Sequence, residues 1–310
     1  MTSLASTNRE GNAPGGKLWP RLGASRARAS SSLIDIVVFL GTAVSNREAL
    51  AWAAATAEEH EARLIGVFIP ATLAASRPEM FARGGALREV IAAGEERLAR
   101  AEAEERDRFE AVARRRSLRW EWRRAEGHSV AELVSHARYG DLAVVVRTDA
   151  SDRSGAPPDL TQRLVLTSGR PVVVLPGSAA AMAPRRIVVG WNAGPEATRA
   201  VAGAMPLLTR AAAVEVLVVH QGEDGVSSHG QEPGADLARH LARHGASVGV
   251  RRLWAAHADV GAVLLHRAAA FGADLVVMGA FSRTPLSEWL FGGVTRTALA
   301  DATLPVLMCR

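Results

Sequence analysis

The sequence Ile-Val-Val-Gly-Trp-Asn at 187–192 decides the fold, because its first three residues also occur as Ile-Val-Val at 36–38. In both copies a helical pattern follows, and then a second β-rich run, at 64–69 and at 214–220, with an offset of 151 residues. Short β-branched runs that alternate with helical patterns are typical of βαβ units. The internal repeat therefore predicts two α/β domains, each with a mainly parallel sheet.

The later part of the repeat has a shorter offset. Asp-Leu at 141–142 matches Asp-Leu at 274–275 with an offset of 133, and Pro171 matches Pro305 with an offset of 134. The first copy therefore contains about 17 additional residues, which we place in the charged segment 94–116. The apolar residues of that segment fall near one helical face: Leu98, Ala101, Phe109, Val112 and Ala113.

These patterns predict two tandem, doubly wound, parallel five-stranded sheets. The expected strands are 36–40, 64–69, 118–123, 142–146 and 172–175, then 187–191, 214–220, 248–253, 275–278 and 305–309. The clearest helices are 196–208, 235–244, 260–271 and 294–301. We expect a disordered tail at 1–32, which is too poor in apolar residues to form a core, then a degenerate domain 1 at 33–176, a linker at 177–185 and domain 2 at 186–310.

Composition excludes several classes of protein. The 310 residues carry a formal net charge of +5, but the excess arginine is not gathered into one basic stripe, so nucleic-acid binding is not expected. Every apolar run is far shorter than the roughly 18 residues that a membrane span needs. Cys309 is the single cysteine, which excludes an intramolecular disulfide and suits a cytoplasmic location.

Candidate ligand-binding residues follow the strands, since open parallel sheets bind ligands beyond the carboxyl ends of their strands. In domain 2, Trp-Asn-Ala-Gly-Pro at 191–195 follows the first strand and Gly-Ala-Phe-Ser-Arg at 279–283 follows the fourth. Gly-Gly-Val-Thr at 292–295 opens the last helix, where free N–H groups favour an anion such as phosphate. Glycines in these places also simply make turns, so both interpretations stay open.

These motifs resemble those of the universal stress protein family. The resemblance covers about residues 33–310, is stronger in domain 2, and rests on 187–192, Met-Gly-Ala-Phe-Ser at 278–282, Phe-Gly-Gly-Val-Thr-Arg at 291–296 and Leu-Pro-Val-Leu-Met at 304–308. It implies Rossmann-like domains with strand order 3-2-1-4-5. It also implies that a subset of members binds ATP through a motif of Gly, two residues, Gly, nine residues, Gly, then Ser or Thr.

The resemblance assigns a nucleotide site to domain 2, but the motif is only partly kept. Gly279 and Gly292 match its first and third glycines. Ser282 replaces the second glycine, and Gly293 replaces the closing Ser or Thr. The spacing predicts that the loop survives while the hydroxyl that would face the phosphate has moved or gone.

Four further residues complete the candidate site. Asn192 stands where ATP-binding members have an Asp after the first strand, so the polarity is kept and the charge is lost. Thr295 can replace the missing hydroxyl, and Arg283 and Arg296 can add positive charge. The resemblance therefore implies weak or absent ATP binding in domain 2, with Mg²⁺ only alongside ATP.

Domain 1 is predicted to be a partner that does not bind nucleotide. Gly41 occupies the position of Asn192, and Asp159 aligns with Gly293, where an acid would repel phosphate. Each domain ends in a short strand that leaves a sheet edge, so we expect the two domains to pair with each other through these strands. A homodimer is a further option, and the sequence names no protein partner.

The remaining candidate residues favour structural roles. Ser129 and Asp259 are interpreted as helix N-caps, not as members of a catalytic pair with His128 or a metal pair with His257. The sequence accordingly predicts neither catalytic residues nor a metal site. Further structural assignments are one solvated helix face for His240 and His244, one sheet face for Trp120 and Trp122, and a buried thiol for Cys309, with a regulatory interchain disulfide as its alternative.

Three functions fit this sequence. The first is a non-catalytic stress-adaptation protein with weak or lost nucleotide binding in domain 2. The second is an ATP-binding switch with slow hydrolysis, and the third is an interaction module that uses no nucleotide.

Overall fold

The ten predicted strands lie in one continuous sheet in the computed structural model of the chain. The structure describes residues 32–41, 46–70, 85–125, 129–147, 157, 159–177, 182–220, 234–255, 259–280 and 293–310. The strands are β1 Asp35–Leu40, β2 Arg63–Phe68, β3 Arg119–Arg124, β4 Leu142–Val146, β5 Val172–Leu175, β6 Arg186–Gly190, β7 Ala213–His220, β8 Val248–Trp254, β9 Leu275–Gly279 and β10 Val306–Cys309. The helices are α1 Asn46–His60, α2 Gly85–Arg115, α3 Val130–Ala137, α4 Leu160–Thr167, α5 Pro195–Leu208, α6 Ala235–Arg243, α7 Val260–Phe271 and α8 Gly293–Asp301.

The strand order is β3-β2-β1-β4-β5 in the first half and β8-β7-β6-β9-β10 in the second. The expected order 3-2-1-4-5 is therefore confirmed in both copies. The strand register refines the repeat: Leu64 pairs with Ile36 as Val214 pairs with Ile187, so the offset at the second strand is 150 residues, and the constant 151 was wrong there.

The two halves meet through their last strands. β5 and β10 run antiparallel, with Val174 opposite Val306 and Val172 opposite Met308, whereas every other described strand pair is parallel. The two five-stranded sheets are thus joined into one ten-stranded sheet, through the pairing of the last strands that the sequence analysis expected. The reason is that both strands are fully buried, four-residue apolar segments whose backbone groups need a partner on each side.

Helices cover both faces of the sheet. Side chains from α1, α2, α5 and α6 form the core on one face, and those from α3, α4, α7 and α8 form the core on the other. Both cores run through the two domains without a break, which is why strands such as β4 and β5 are apolar on both faces. None of the helices in the described ranges combines the length and apolar character that a membrane-spanning helix requires.

The additional segment of domain 1 belongs to the long helix α2. Phe109 on α2 packs against Trp120, with ring centroids 6.0 Å apart, and against Trp122, with centroids 5.3 Å apart. The two tryptophans share one face of β3, as predicted. Gly66 on β2 makes room for these rings, since a Cβ there would lie 2.8 Å from atoms of both Phe109 and Trp122.

The contact between α5 of domain 2 and the start of β5 in domain 1 is equally close. A Cβ on Gly203 would lie 2.9 Å from Cγ of Pro171, whose ring cannot rotate away. Gly203 thus allows the helix of one domain to lie against the terminal strand of the other.

We predict that Gly203→Ala lowers the free energy of unfolding by about 1–3 kcal/mol, because the added methyl forces α5 away from Pro171. Without this contact, Gly203→Ala would raise the free energy of unfolding by about 1 kcal/mol through the higher helix propensity of alanine. The sign of the change in this free energy is therefore diagnostic. Chemical denaturation of Gly203→Ala, Pro171→Ala and the double variant gives the measurement. Stabilisation by Gly203→Ala, or simple additivity of the two changes, would contradict the contact.

His60, the last residue of α1, is buried beside the residues that lead into β1. Its Nδ1 accepts a hydrogen bond from the Leu33 N–H at 3.5 Å, so the neutral ring is the form that fits. Burial, reinforced by the positive charge of Arg210 in domain 2, lowers the pKa of His60 from 6.5 to about 4.

Below pH 6.5 the unfolded chain binds a proton at His60, whereas the folded chain does so only near pH 4. The contribution of His60 to the free energy of unfolding therefore falls as the pH is lowered from 6.5 to 4. We expect a loss of about 3 kcal/mol between pH 6.5 and pH 4. His60→Asn keeps an acceptor near Nδ1 but does not titrate, so denaturation curves of this variant should lack that part of the pH dependence. Identical pH profiles for the two proteins would show that His60 does not carry this effect.

Candidate functional site

The carboxyl ends of β6 and β9 mark the topological switch point of domain 2, at which the chain changes direction. The two strands are neighbours, with Gly190 opposite Met278. The helix after β6, α5, packs on one face of the sheet, and the helix after β9, α8, packs on the other. Asn192, Gly279 and Gly293 therefore lie at the carboxyl ends of the parallel strands, where such folds bind ligands.

Asn192 organises the turn that leads into α5. Its Oδ1 accepts a hydrogen bond from the Gly194 N–H at 3.0 Å, and the side chain is exposed. Pro195 then occupies the first turn of the helix, where its missing N–H costs no hydrogen bond. Asn192 thus has a local structural role and remains accessible at the sheet edge.

Gly279, the last residue of β9, is required by packing. A Cβ at this position would lie 2.5 Å from the Ala197 backbone nitrogen and 2.7 Å from the Glu196 carbonyl carbon, both in the first turn of α5. The first glycine of the motif therefore allows α5 to approach β9, whether or not a ligand binds.

The amino end of α8 is the open part of the site. A Cβ on Gly293 would meet no atom of the described residues within 4 Å, and Arg296, three residues later, is exposed. Thr295 has only 3% of its surface exposed and already interacts within the protein, so little of its side chain is accessible to a ligand. Its counterpart Thr161 donates to the Val146 carbonyl at 3.4 Å.

Asp259 confirms its predicted role as the N-cap of α7. It accepts the Gly261 N–H at 2.8 Å and the Thr297 hydroxyl at 2.5 Å. The Thr297 hydrogen bond lowers the pKa of Asp259, with smaller help from backbone N–H groups and from Arg296. The carboxylate links α7 to α8 and offsets part of the positive charge of Arg296.

Several predicted residues lie outside the described part of the chain: Ser282, Arg283, Gly292, His128 and His257. Among the others, Ser129 is the N-cap of α3, accepting the Glu132 N–H at 3.3 Å, and Cys309 is buried, which raises the pKa of its thiol. His240 and His244 are exposed neighbours with ring centroids 4.7 Å apart. The described residues contain no group of three metal-ligating side chains.

The corresponding edge of domain 1 has different chemistry. Asp159 precedes α4 at the position of Gly293, and its carboxylate pairs with Arg163 at 2.6 Å. After β4, Arg147 takes the position that follows the motif's first glycine, and its side chain reaches into domain 2. Among the described residues, a glycine with open space around it therefore starts α8, whereas a carboxylate stands at the start of α4.

A row of aromatic side chains follows the strands of domain 2, and the sequence analysis identified only the first of them, Trp191, as part of a candidate ligand-binding segment. Trp191, His220 and Trp254 stand at the carboxyl ends of β6, β7 and β8. The rings of His220 and Trp254 stack with centroids 5.1 Å apart and planes 26° apart, and Trp254 is 65% exposed. In domain 1 the same register places Leu40 and Pro70 at the first two positions.

Comparison with known proteins agrees with this fold. Residues 184–310 match the model of the universal stress protein family. A universal stress protein from Archaeoglobus fulgidus aligns with a TM-score of 0.66 at 12% identity, covering 89% of this chain and 96% of its own. A functionally unknown protein from Pseudomonas aeruginosa aligns with a TM-score of 0.52 at 16% identity, covering 90% and 93%. Among curated proteins, none matches the chain significantly.

We predict that Gly279→Ala destabilises domain 2 by about 1–3 kcal/mol, because a backbone and not a flexible side chain occupies the space of the new methyl. Gly249→Ala on β8 is the matched control, since a Cβ there meets no atom within 4 Å. Thermal denaturation without ligand compares the two variants. Equal stability would mean that Gly279 is not required by packing.

Proposed function

We propose, on the premise that this chain belongs to the universal stress protein family, that it is a non-catalytic stress-adaptation protein whose domain 2 binds an adenine nucleotide weakly. The observation that carries the proposal is the difference between the two copies at the start of their last helices. Domain 2 has an open glycine there, whereas domain 1 has the carboxylate of Asp159. The copies are therefore expected to differ in their affinity for phosphate.

The amino end of α8 supports an interaction with the phosphates. The first N–H groups of a helix have no partner within it and carry the positive end of the helix dipole. Gly293 adds no side chain near these groups, and Arg296 places a cation in the first turn. A triphosphate would meet both in this position.

The aromatic row supports an interaction with the base. β7 and β8 lie two and three strands from β9, or roughly 10 and 14 Å at the usual strand spacing. A ligand that reaches both α8 and the His220–Trp254 pair must carry an anionic group at one end and a flat ring at the other. An adenine nucleotide has this form, and stacking on an exposed tryptophan suits its base.

The expected affinity is low. Gly293 provides no hydroxyl, Thr295 is buried, and Asp259 offsets the charge of Arg296. Asn192 offers an amide in place of a carboxylate. These features favour a sensor or binding role over a dedicated enzyme, and Mg²⁺ would enter only with the nucleotide.

Titration with a fluorescently labelled adenine nucleotide, with and without Mg²⁺, tests the proposal. We expect weak binding of one nucleotide per chain. Gly293→Val should weaken it at least about tenfold, because it blocks the helix start without clashing within the fold, and Trp254→Ala should weaken it about fivefold or more through lost stacking. Asp159→Ala in domain 1 is the control and should change nothing.

Other outcomes identify the alternatives. Two nucleotides per chain, or binding unaffected by Gly293→Val, would mean that the site lies elsewhere. Steady release of phosphate from ATP would favour a switch with slow hydrolysis. Absence of binding at millimolar nucleotide would favour an interaction module that uses no nucleotide.

A further inference from the structure

Arg147 of domain 1 caps a helix of domain 2. It directly follows β4, and its Nη1 donates to three carbonyl oxygens in and just after the last turn of α8: Ala300 at 2.8 Å, Ala302 at 3.2 Å and Leu299 at 3.3 Å. These carbonyls belong to the helix end that cannot satisfy its acceptors internally and that carries the negative end of the dipole. A guanidinium satisfies both needs, with several donors and a fixed positive charge.

Comparison of the two copies shows that domain 1 caps the last helix of domain 2 from this position, whereas domain 2 does not cap the last helix of domain 1 from the equivalent position. The Arg147 N–H donates to the Leu175 carbonyl at 2.9 Å, and the Ala280 N–H donates to the Cys309 carbonyl at 2.9 Å. Ala280 is thus the counterpart of Arg147, but its methyl group cannot reach across the seam between β5 and β10. Domain 2 therefore makes no equivalent contact with α4 of domain 1 through this position.

Each last helix obtains its capping arginine from domain 1. At the end of α4, Nη2 of Arg138 donates to the Thr167 carbonyl at 3.3 Å, so domain 1 caps its own helix. The corresponding chain after α7 reads Phe271-Gly272, and neither side chain can donate a hydrogen bond. The helix α8 lacks this internal cap and receives Arg147 instead.

We propose that Arg147 is a positioning residue for the nucleotide site of domain 2, an inference that rests on the function proposed above. With nine residues, α8 is about 13 Å long and too short to be stable without tertiary contacts. Anchoring its last turn to domain 1 orders its first turn, where the N–H groups would meet phosphate. Arg147 at the carboxyl end of α8 and a phosphate at its amino end would both interact favourably with the dipole of this helix.

This assignment gives domain 1 a role in ligand binding although it contacts no ligand. Val146 and Arg147 occupy the positions of Gly279 and Ala280, where the glycine motif of domain 2 begins. In domain 1 the second of these positions carries Arg147, whose side chain caps α8 of domain 2. Arg147 also lines a small cleft in the seam, together with Val174, Leu299, Ala302 and Leu304, so its side chain is held within the contact between the domains.

Hydrogen exchange of the full chain without nucleotide tests the anchoring step. Arg147→Ala should speed exchange in 293–301 about tenfold, and Arg147→Lys, which keeps the charge but not the guanidinium, should give an intermediate rate. Arg138→Ala is the matched control, because it removes the cap of α4 and should affect only 160–167. Unchanged exchange of α8 in Arg147→Ala would overturn the proposal.

Nucleotide titration of the same variants tests the positioning step. Arg147→Ala should raise Kd about three- to tenfold, Arg147→Lys should recover part of the loss, and Arg138→Ala should match the wild type. Faster exchange of α8 with an unchanged Kd would overturn the positioning role and leave the proposed function intact. If the wild-type chain binds no nucleotide, the proposed function fails and the positioning role fails with it, whereas hydrogen exchange still decides whether α8 is anchored.

Discussion

The antiparallel pairing of β5 with β10 is the constraint on which the rest of the structure depends. Two parallel five-stranded sheets would each expose the backbone of a short apolar edge strand, and joining them satisfies both edges at once. The joined sheet then has continuous cores on both faces. The contact between Gly203 and Pro171, and the reach of Arg147 to α8, exist only because these edges meet.

The two copies share a fold but differ in the side chains at the carboxyl ends of their strands. Domain 2 keeps an open helix start at Gly293 and has aromatic side chains at its strand ends, whereas domain 1 has Asp159 and Arg147 in the corresponding motif positions. A carboxylate repels phosphate, and an arginine committed to a helix end is not available to a ligand in its own domain. Domain 1 thus contributes Arg147 to the carboxyl end of α8 across the seam.

Much of this arrangement follows from local patterns in the sequence. The apolar periodicity predicted α7 at 260–271 and α5 at 196–208, and the structure places them at Val260–Phe271 and Pro195–Leu208. The N-caps Ser129 and Asp259 were recognisable because capping depends on residues two or three positions away. The packing role of Gly279 was not recognisable in this way, because the atoms that leave no room for a Cβ belong to Glu196 and Ala197, which are remote in sequence.

The sequence by itself determined the repeat, the α/β class and the positions of the candidate loops, because these depend on the spacing of apolar residues and glycines along the chain. Tertiary structure alone decided the register at which the two sheets join, that Thr295 is buried, that His220 stacks on Trp254 and that Arg147 caps α8. These contacts join elements far apart in the chain. Their geometry depends on strand register and helix packing, which no local pattern of residues encodes.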